Sequence, residues 1–114
     1  RTAAISGSWV ALQRACERLI QQGDLNTNPV HSQVAADSVG VKHNRPLLDL
    51  DYSEDSQADV DLNVVMNGEG HLLELQGTAE GAPFSRDQLN GLLDLAEPGL
   101  KQIMNDQRTA LSTR

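Results

Sequence analysis

The stretch DVDLNVVMNGEGHLLELQ, residues 59–76, constrains the fold more than any other part of the chain. Apolar residues alternate with polar ones in its first half, which is the period of a β-strand with one buried face. Asn67-Gly68 follows, a dipeptide typical of short turns between antiparallel strands, and HLLELQ then predicts the returning strand. The first strand should bury Val60, Leu62, Val64 and Met66 and place Asp59, Asp61 and Asn63 on its polar face.

Two earlier segments predict a second hairpin. VAADSVGV, residues 34–41, and PLLDLDY, residues 46–52, are both rich in strand-forming residues and flank the polar turn KHNR. In PLLDLDY, aspartates alternate with Leu48, Leu50 and Tyr52, so one face of this strand should be apolar and the other acidic.

Helical periodicity occupies both ends of the chain. From Thr2 to Gln22 apolar residues recur every three or four positions, and Gly23 then ends the predicted helix. A second helix should begin at Ser85, which forms a capping box with Gln88, and should continue across Pro98 as one kinked helix or two nearly coaxial ones. The buried stripe of the first helix should consist of Ile5, Trp9, Leu12, Cys16, Leu19 and Ile20.

The predicted fold class is therefore α+β: a helix, four antiparallel strands in two hairpins, and a long C-terminal helix. At 114 residues the chain fits one small domain. The chain begins at Arg1 without a methionine, and its sequence is helical from there, so we expect it to belong to a longer polypeptide.

Net charge and cysteine content limit the binding partners and the cellular compartment that we expect for this chain. A net charge of −7 argues against this chain wrapping a nucleic-acid backbone unaided, because that requires an excess of Lys and Arg. The single cysteine, Cys16, cannot form an internal disulfide, and no signal peptide or membrane span is expected. A cytoplasmic protein that does not interact with membranes is the expectation.

Six carboxylates lie between Asp49 and Asp61. A polar strand face explains Asp49 and Asp51, and turn formation explains Glu54. Three of the acidic side chains can gather on one side of the sheet, where a divalent cation such as Mg²⁺ would relieve their repulsion, although spacing alone supports this only weakly. These three are Asp55, Asp59 and Asp61.

Arg1 is a second candidate site residue. It lies at the start of the first helix, where free backbone N–H groups and the helix dipole favour anions, and Thr2 adds a hydroxyl. The alternative is that Arg1 is simply an end of the chain, and the sequence leaves both interpretations open.

Four segments together resemble the carboxy-terminal half of the bacterial ribonuclease PH family. They are RTAAISGSWVAL, LDLDYSEDSQADVDLNVVM, ELQGTAEGAPFS and LLDLAEPGLKQIMNDQRTAL, which occur in the family's order along nearly the whole chain. The resemblance implies that residues 1–114 form the C-terminal part of a single ribonuclease PH domain. That domain has the ribosomal-protein-S5-domain-2-like fold, and its N-terminal half is absent from this chain.

The resemblance also implies an activity: phosphate-dependent 3′-to-5′ exoribonuclease, or tRNA nucleotidyltransferase. Such enzymes trim the 3′ ends of tRNA precursors, act in ribosomal RNA processing and turnover, and release nucleoside diphosphates. The implied co-substrate is inorganic phosphate, the implied metal is Mg²⁺ or Mn²⁺, and the implied partners are RNA, the N-terminal half of the subunit and further copies in a hexameric ring, a trimer of dimers.

Site residues transfer from the family position by position. Arg1 and Thr2 match the fourth and fifth residues of its phosphate-binding Gly-Gly-Thr-Arg-Thr-Ala sequence, whose first three residues this chain lacks. Asp55 and Asp61 match two aspartates, six residues apart, that bind the metal or act as general acid. At Asn63 the sequence differs from that of related polynucleotide phosphorylases, which have a lysine at this position.

Two alternative functions stay open for the chain. One is a non-catalytic RNA-binding or scaffold subunit of a similar ring, and the other is a small acidic metal-binding module without an RNA role.

Overall fold

The computed structural model describes residues 1–42, 45–48 and 59–112. Its four strands form one antiparallel sheet in the order β2–β1–β3–β4. The predicted α+β fold, with two hairpins between two helices, is confirmed. The elements are α1 (Thr2–Gln21), β1 (Val34–Lys42), β2 (Arg45–Leu48), β3 (Val60–Asn67), β4 (Leu72–Ala79) and α2 (Arg86–Ser112).

The hydrophobic core lies between α2 and one face of the sheet. Alternation in β3 directs every second side chain into this core, as predicted, and each of the four is at most 7% exposed. Since burying one such side chain stabilises a fold by about 1.5–3 kcal/mol, this layer is a major source of stability. The core residues of β3 and α2 are Val60, Leu62, Val64, Met66, Leu92, Ala96, Leu100 and Met104.

Helix α2 begins with the predicted capping box. The backbone N–H of Gln88 donates to Ser85 Oγ at 3.1 Å, and the N–H of Ser85 donates to Gln88 Oε1 at 2.7 Å. The helix then runs without interruption through Pro98 to Ser112, so the single-helix alternative is the correct one. No helix among the described residues is both long and apolar enough to cross a membrane.

Helix α1 ends as predicted, with Gly23 in the left-handed region at φ 83°. The expectation of one buried apolar stripe along it was partly wrong. Cys16 is buried, but Leu12 and Leu19 are 54% and 38% exposed. Because α1 packs against β1 and α2 along a narrow strip that includes Ser6, the outer flank of its apolar stripe remains open to solvent.

Candidate active site

Arg1 lies at the N-terminus of α1 and reaches across to β4. Its Nη2 pairs with the carboxylate of Glu74, and its Nη1 donates a hydrogen bond to Gln76 Oε1 at 3.2 Å. The side chains of Arg1 and Glu74 are 49% and 45% exposed, so water screens the pair. Thr2, the first residue of α1, is half-buried. A cationic group at a helix N-terminus is thus held against the sheet.

Asp61 lies on the same face of the sheet as the two partners of Arg1. Residues directly opposite each other in an antiparallel pair project to the same face. The register pairs Asp61 with Thr78, and Asn63 with Gln76. We call the surface formed by Asp61, Asn63, Glu74, Gln76 and Thr78 the Asp61 face.

The sheet register relates the position of Arg1 to that of Asp61. Two residues along a strand span about 6.6–6.8 Å, so the Asn63–Gln76 pair is one such step from the Asp61–Thr78 pair. Arg1 binds Gln76 and therefore lies next to this part of the sheet. A cationic side chain and a carboxylate, distant in the chain, therefore lie on one face of the sheet.

The carboxylate of Asp61 is held within the surface of the sheet. The residue is half-buried, and its Oδ1 has less than 1 Å² of exposed surface. On the β1 side its register partner is Gly40, which has no side chain to cover the face. Gly40 is itself buried, so the carboxylate of Asp61 lies in a partly enclosed part of the sheet surface.

Most of the other acidic candidates, Asp49, Asp51, Glu54 and Asp55, lie outside the described residues. The predicted pairing of Asp55 with Asp61 therefore stays a prediction. Asp59 is exposed and lies just before β3, where its backbone N–H donates to Val41 O and its carbonyl accepts from the N–H of Glu80, both at 2.7 Å.

The described residues contribute at least one suitable group to the predicted metal site. Within them, no three His, Cys, Asp or Glu side chains gather as a metal site. Asp61 offers the carboxylate oxygen that Mg²⁺ prefers, and Mg²⁺ is often bound through one or two carboxylates with waters and substrate phosphates. Asp61 therefore fits the predicted ion.

Glu74 and Gln76 were missed as site residues by the sequence reasoning. Their alternation in ELQ, residues 74–76, was a signal that both project to one face of a strand. Their contact with Arg1 depends on how α1 packs, which no local pattern specifies.

Comparison with known proteins supplies the family context. Residues 32–99 match the model of the 3′ exoribonuclease family, domain 2. Ribonuclease PH of Prochlorococcus marinus (strain MIT 9313) is 68% identical over 111 residues, which cover 97% of this chain and 46% of the relative. Ribonuclease PH of Synechococcus sp. (strain CC9605) is 63% identical over 112 residues, which cover 98% and 45%. The chain thus spans about half the length of the curated relatives it matches.

Solved structures share the fold. Rice (Oryza sativa) Rrp46 has a TM-score of 0.65 at 18% identity, over 90% of this chain and 46% of that one. The Archaeoglobus fulgidus exosome with RNA bound to the active site has a TM-score of 0.59 at 18% identity, over 76% and 35%. At this level of identity the likeness concerns the architecture, and it agrees with the expected ribosomal-protein-S5-domain-2-like fold.

Proposed function

The chain belongs to the 3′ exoribonuclease family of ribonuclease PH, and we propose that it forms the C-terminal part of a phosphorolytic 3′-to-5′ exoribonuclease. The enzyme would remove 3′-terminal nucleotides from tRNA precursors and act in ribosomal RNA processing and turnover. The observation that supports this most is the position of Arg1, which lies at a helix N-terminus over the same sheet face as Asp61.

Arg1 and Thr2 are the proposed phosphate-binding residues. Attack of a phosphate anion on an anionic phosphodiester requires that the negative charge be neutralised and the approach be fixed in line. A guanidinium and the N–H groups of the first turn of α1 supply both, and Thr2 adds a hydroxyl donor. The attacking phosphate would therefore be held at the N-terminus of α1.

Asp61 and Asp55 are the proposed residues for the leaving group. A phosphate oxygen attacks the terminal phosphorus, the bond from this phosphorus to the 3′-oxygen of the preceding nucleotide breaks, and that oxygen takes a proton. A nucleoside diphosphate and a shortened RNA result. Asp55 would donate the proton directly or through water. Alternatively, Asp55 and Asp61 would hold Mg²⁺ or Mn²⁺, which when bound neutralises charge on the leaving oxygen.

The acidic chain requires basic surfaces from elsewhere to bind RNA. With a net charge of −7, it cannot supply the excess of Lys and Arg that a phosphate backbone needs. We propose that the N-terminal half of the subunit and neighbouring subunits of a hexameric ring supply these cations. The proposed compartment is the cytoplasm.

The proposal is tested by identifying the product that the full-length protein forms from RNA with a free 3′ end. The assay contains Mg²⁺ and inorganic phosphate. Nucleoside diphosphates should accumulate, and their rate of formation should depend on phosphate concentration. Release of nucleoside monophosphates, or activity that does not depend on phosphate, would contradict the proposal.

A further inference from the structure

The guanidinium of Arg1 is held at two points by neighbouring same-face residues of one strand. Glu74 pairs with Nη2 and Gln76 accepts from Nη1. A guanidinium has five N–H donors in a fixed plane, of which these two contacts use two. The three that remain can donate to an anion while the plane stays fixed.

The same strand pair that holds Arg1 also carries Asp61. Glu74 lies opposite Val65, and Gln76 lies opposite Asn63, two residues from Asp61. The position of the guanidinium is therefore set by the β3–β4 ladder as well as by α1. A fixed spacing between an attacking phosphate and the leaving-group site favours reaction, because misplacement of reacting groups lowers the rate.

We propose that Glu74 and Gln76 are positioning residues that orient Arg1 for phosphate, an inference that rests on the proposed function. An exposed ion pair often contributes little to stability. Two acceptors that converge on one cation, on the sheet face that carries Asp61, have a further consequence. An arginine already held in one orientation loses less conformational freedom when it binds phosphate. Glu74 is half-exposed, so solvent and salt weaken its repulsion of the bound anion.

The experiment measures phosphate dependence in the full-length protein with Glu74→Ala, Glu74→Gln and Gln76→Ala. We expect Glu74→Ala to raise the KM for phosphate by about two- to fivefold, with the KM for RNA unchanged. Glu74→Gln keeps an acceptor oxygen and should fall between Glu74→Ala and wild type. Glu69→Ala is the matched control, since Glu69 is an exposed glutamate in the turn of the same hairpin, and its KM for phosphate should not change.

A double-mutant cycle tests whether the effect passes through Arg1. Lysine lacks the planar group whose two terminal nitrogens bind Glu74 and Gln76 separately, so these residues cannot fix its orientation in the same way. In an Arg1→Lys background Glu74→Ala should therefore add no further increase in KM for phosphate. An equal increase in both backgrounds would overturn the inference. A lower KM for phosphate in Glu74→Ala would also overturn it, because Glu74 would then compete with phosphate for Arg1.

Phosphate binding without turnover separates this inference from the proposed function. Inorganic phosphate that binds the native protein raises its melting temperature. We expect a larger rise for wild type than for Glu74→Ala, and equal rises would overturn the positioning role. Wild type that is stabilised by phosphate but forms no nucleoside diphosphate would contradict the proposed function alone, and wild type that phosphate does not stabilise would overturn both.

Discussion

At the scale of single residues, the site combines opposite charges on one sheet face. Arg1 supplies a permanent cation, and Asp61 supplies a carboxylate held within the sheet surface. The proposed phosphorolysis needs this division, because one group must bind an anionic nucleophile while the other serves a developing oxyanion through a metal or a proton donor. Substitution of Arg1 and substitution of Asp61 should therefore affect different kinetic constants.

Asp61→Asn removes the charge of the carboxylate and nearly preserves its shape. In the full-length protein we expect kcat to fall by about 10²–10⁴-fold, while the affinity for RNA changes little, because the lost interaction acts at the leaving oxygen. Single-turnover phosphorolysis and an RNA-binding titration measure the two quantities.

The control for that exchange is Asp94→Asn, which makes the same change on the exposed surface of α2. Its turnover should equal that of wild type. Wild-type turnover in Asp61→Asn would show that the carboxylate has no role in the reaction.

Ser6 is a residue whose role is structural. Its hydroxyl accepts a hydrogen bond from the N–H of Ala36 at 3.0 Å and lies 3.3 Å from the carbonyl oxygen of Ala36, to which it donates. Ser6→Ala leaves these two buried backbone groups without their partner and should lower the free energy of unfolding by about 1–3 kcal/mol.

Ser8→Ala is the matched control, since Ser8 is exposed on the same helix and alanine has the higher helix propensity. Urea denaturation of the full-length variants measures both values. The role assigned to Ser6 would be wrong if the two variants were equally stable.

At the scale of elements, local contacts were predicted well and contacts between distant elements were not. The capping box of Ser85 and Gln88 joins residues three apart, so the sequence contains all the information required. Exposure of Leu12 depends on which surfaces face α1, and helical periodicity does not contain that information. Ser6 was missed for the same reason, since its partner Ala36 lies on another element.

Helix α2 offers a test of how closely it packs on the sheet. A Cβ added at Gly99 would lie 2.9 Å from Asp37 Oδ2 and 2.9 Å from Leu48 Cδ2, whereas one added at Gly91 would meet nothing within 4 Å. Asp37 is 3% exposed, and its Oδ1 accepts a hydrogen bond from the N–H of Ser38, so it has little room to move.

Gly91→Ala should therefore stabilise the protein by about 0.5–1 kcal/mol through helix propensity, and Gly99→Ala should destabilise it by about 1–2 kcal/mol through overpacking. Chemical denaturation of the full-length variants gives the sign of each change. Stabilisation of similar size by both substitutions would mean that α2 does not approach the sheet closely at Gly99.

At the scale of the whole molecule, the fold class was predictable because strand alternation and helical periodicity are both strong in this sequence. The site was only partly predictable. Spacing alone did not distinguish among the acidic residues, and the resemblance to a family singled out Asp55 and Asp61. The contact of Arg1 with β4 could not be predicted in this way, because it depends on how α1 packs against the sheet. That packing is determined by contacts between residues far apart in the chain.

Strand β4 forms an apolar edge of the sheet in the described part of the chain. It pairs only with β3 there, and three of its leucines are 40–57% exposed. An exposed apolar edge strand can pair with another chain, because its outer N–H and C=O groups are available. These leucines are Leu72, Leu73 and Leu75.

We therefore expect the isolated 114-residue chain to self-associate as its concentration rises, measured by sedimentation velocity. Leu73→Lys should increase the monomer fraction, since a lysine on an edge strand opposes pairing. Gln102→Lys adds the same charge on the exposed surface of α2 and should leave association unchanged. A chain that stays monomeric at all concentrations would show that this edge does not promote association, as would equal effects of the two lysines.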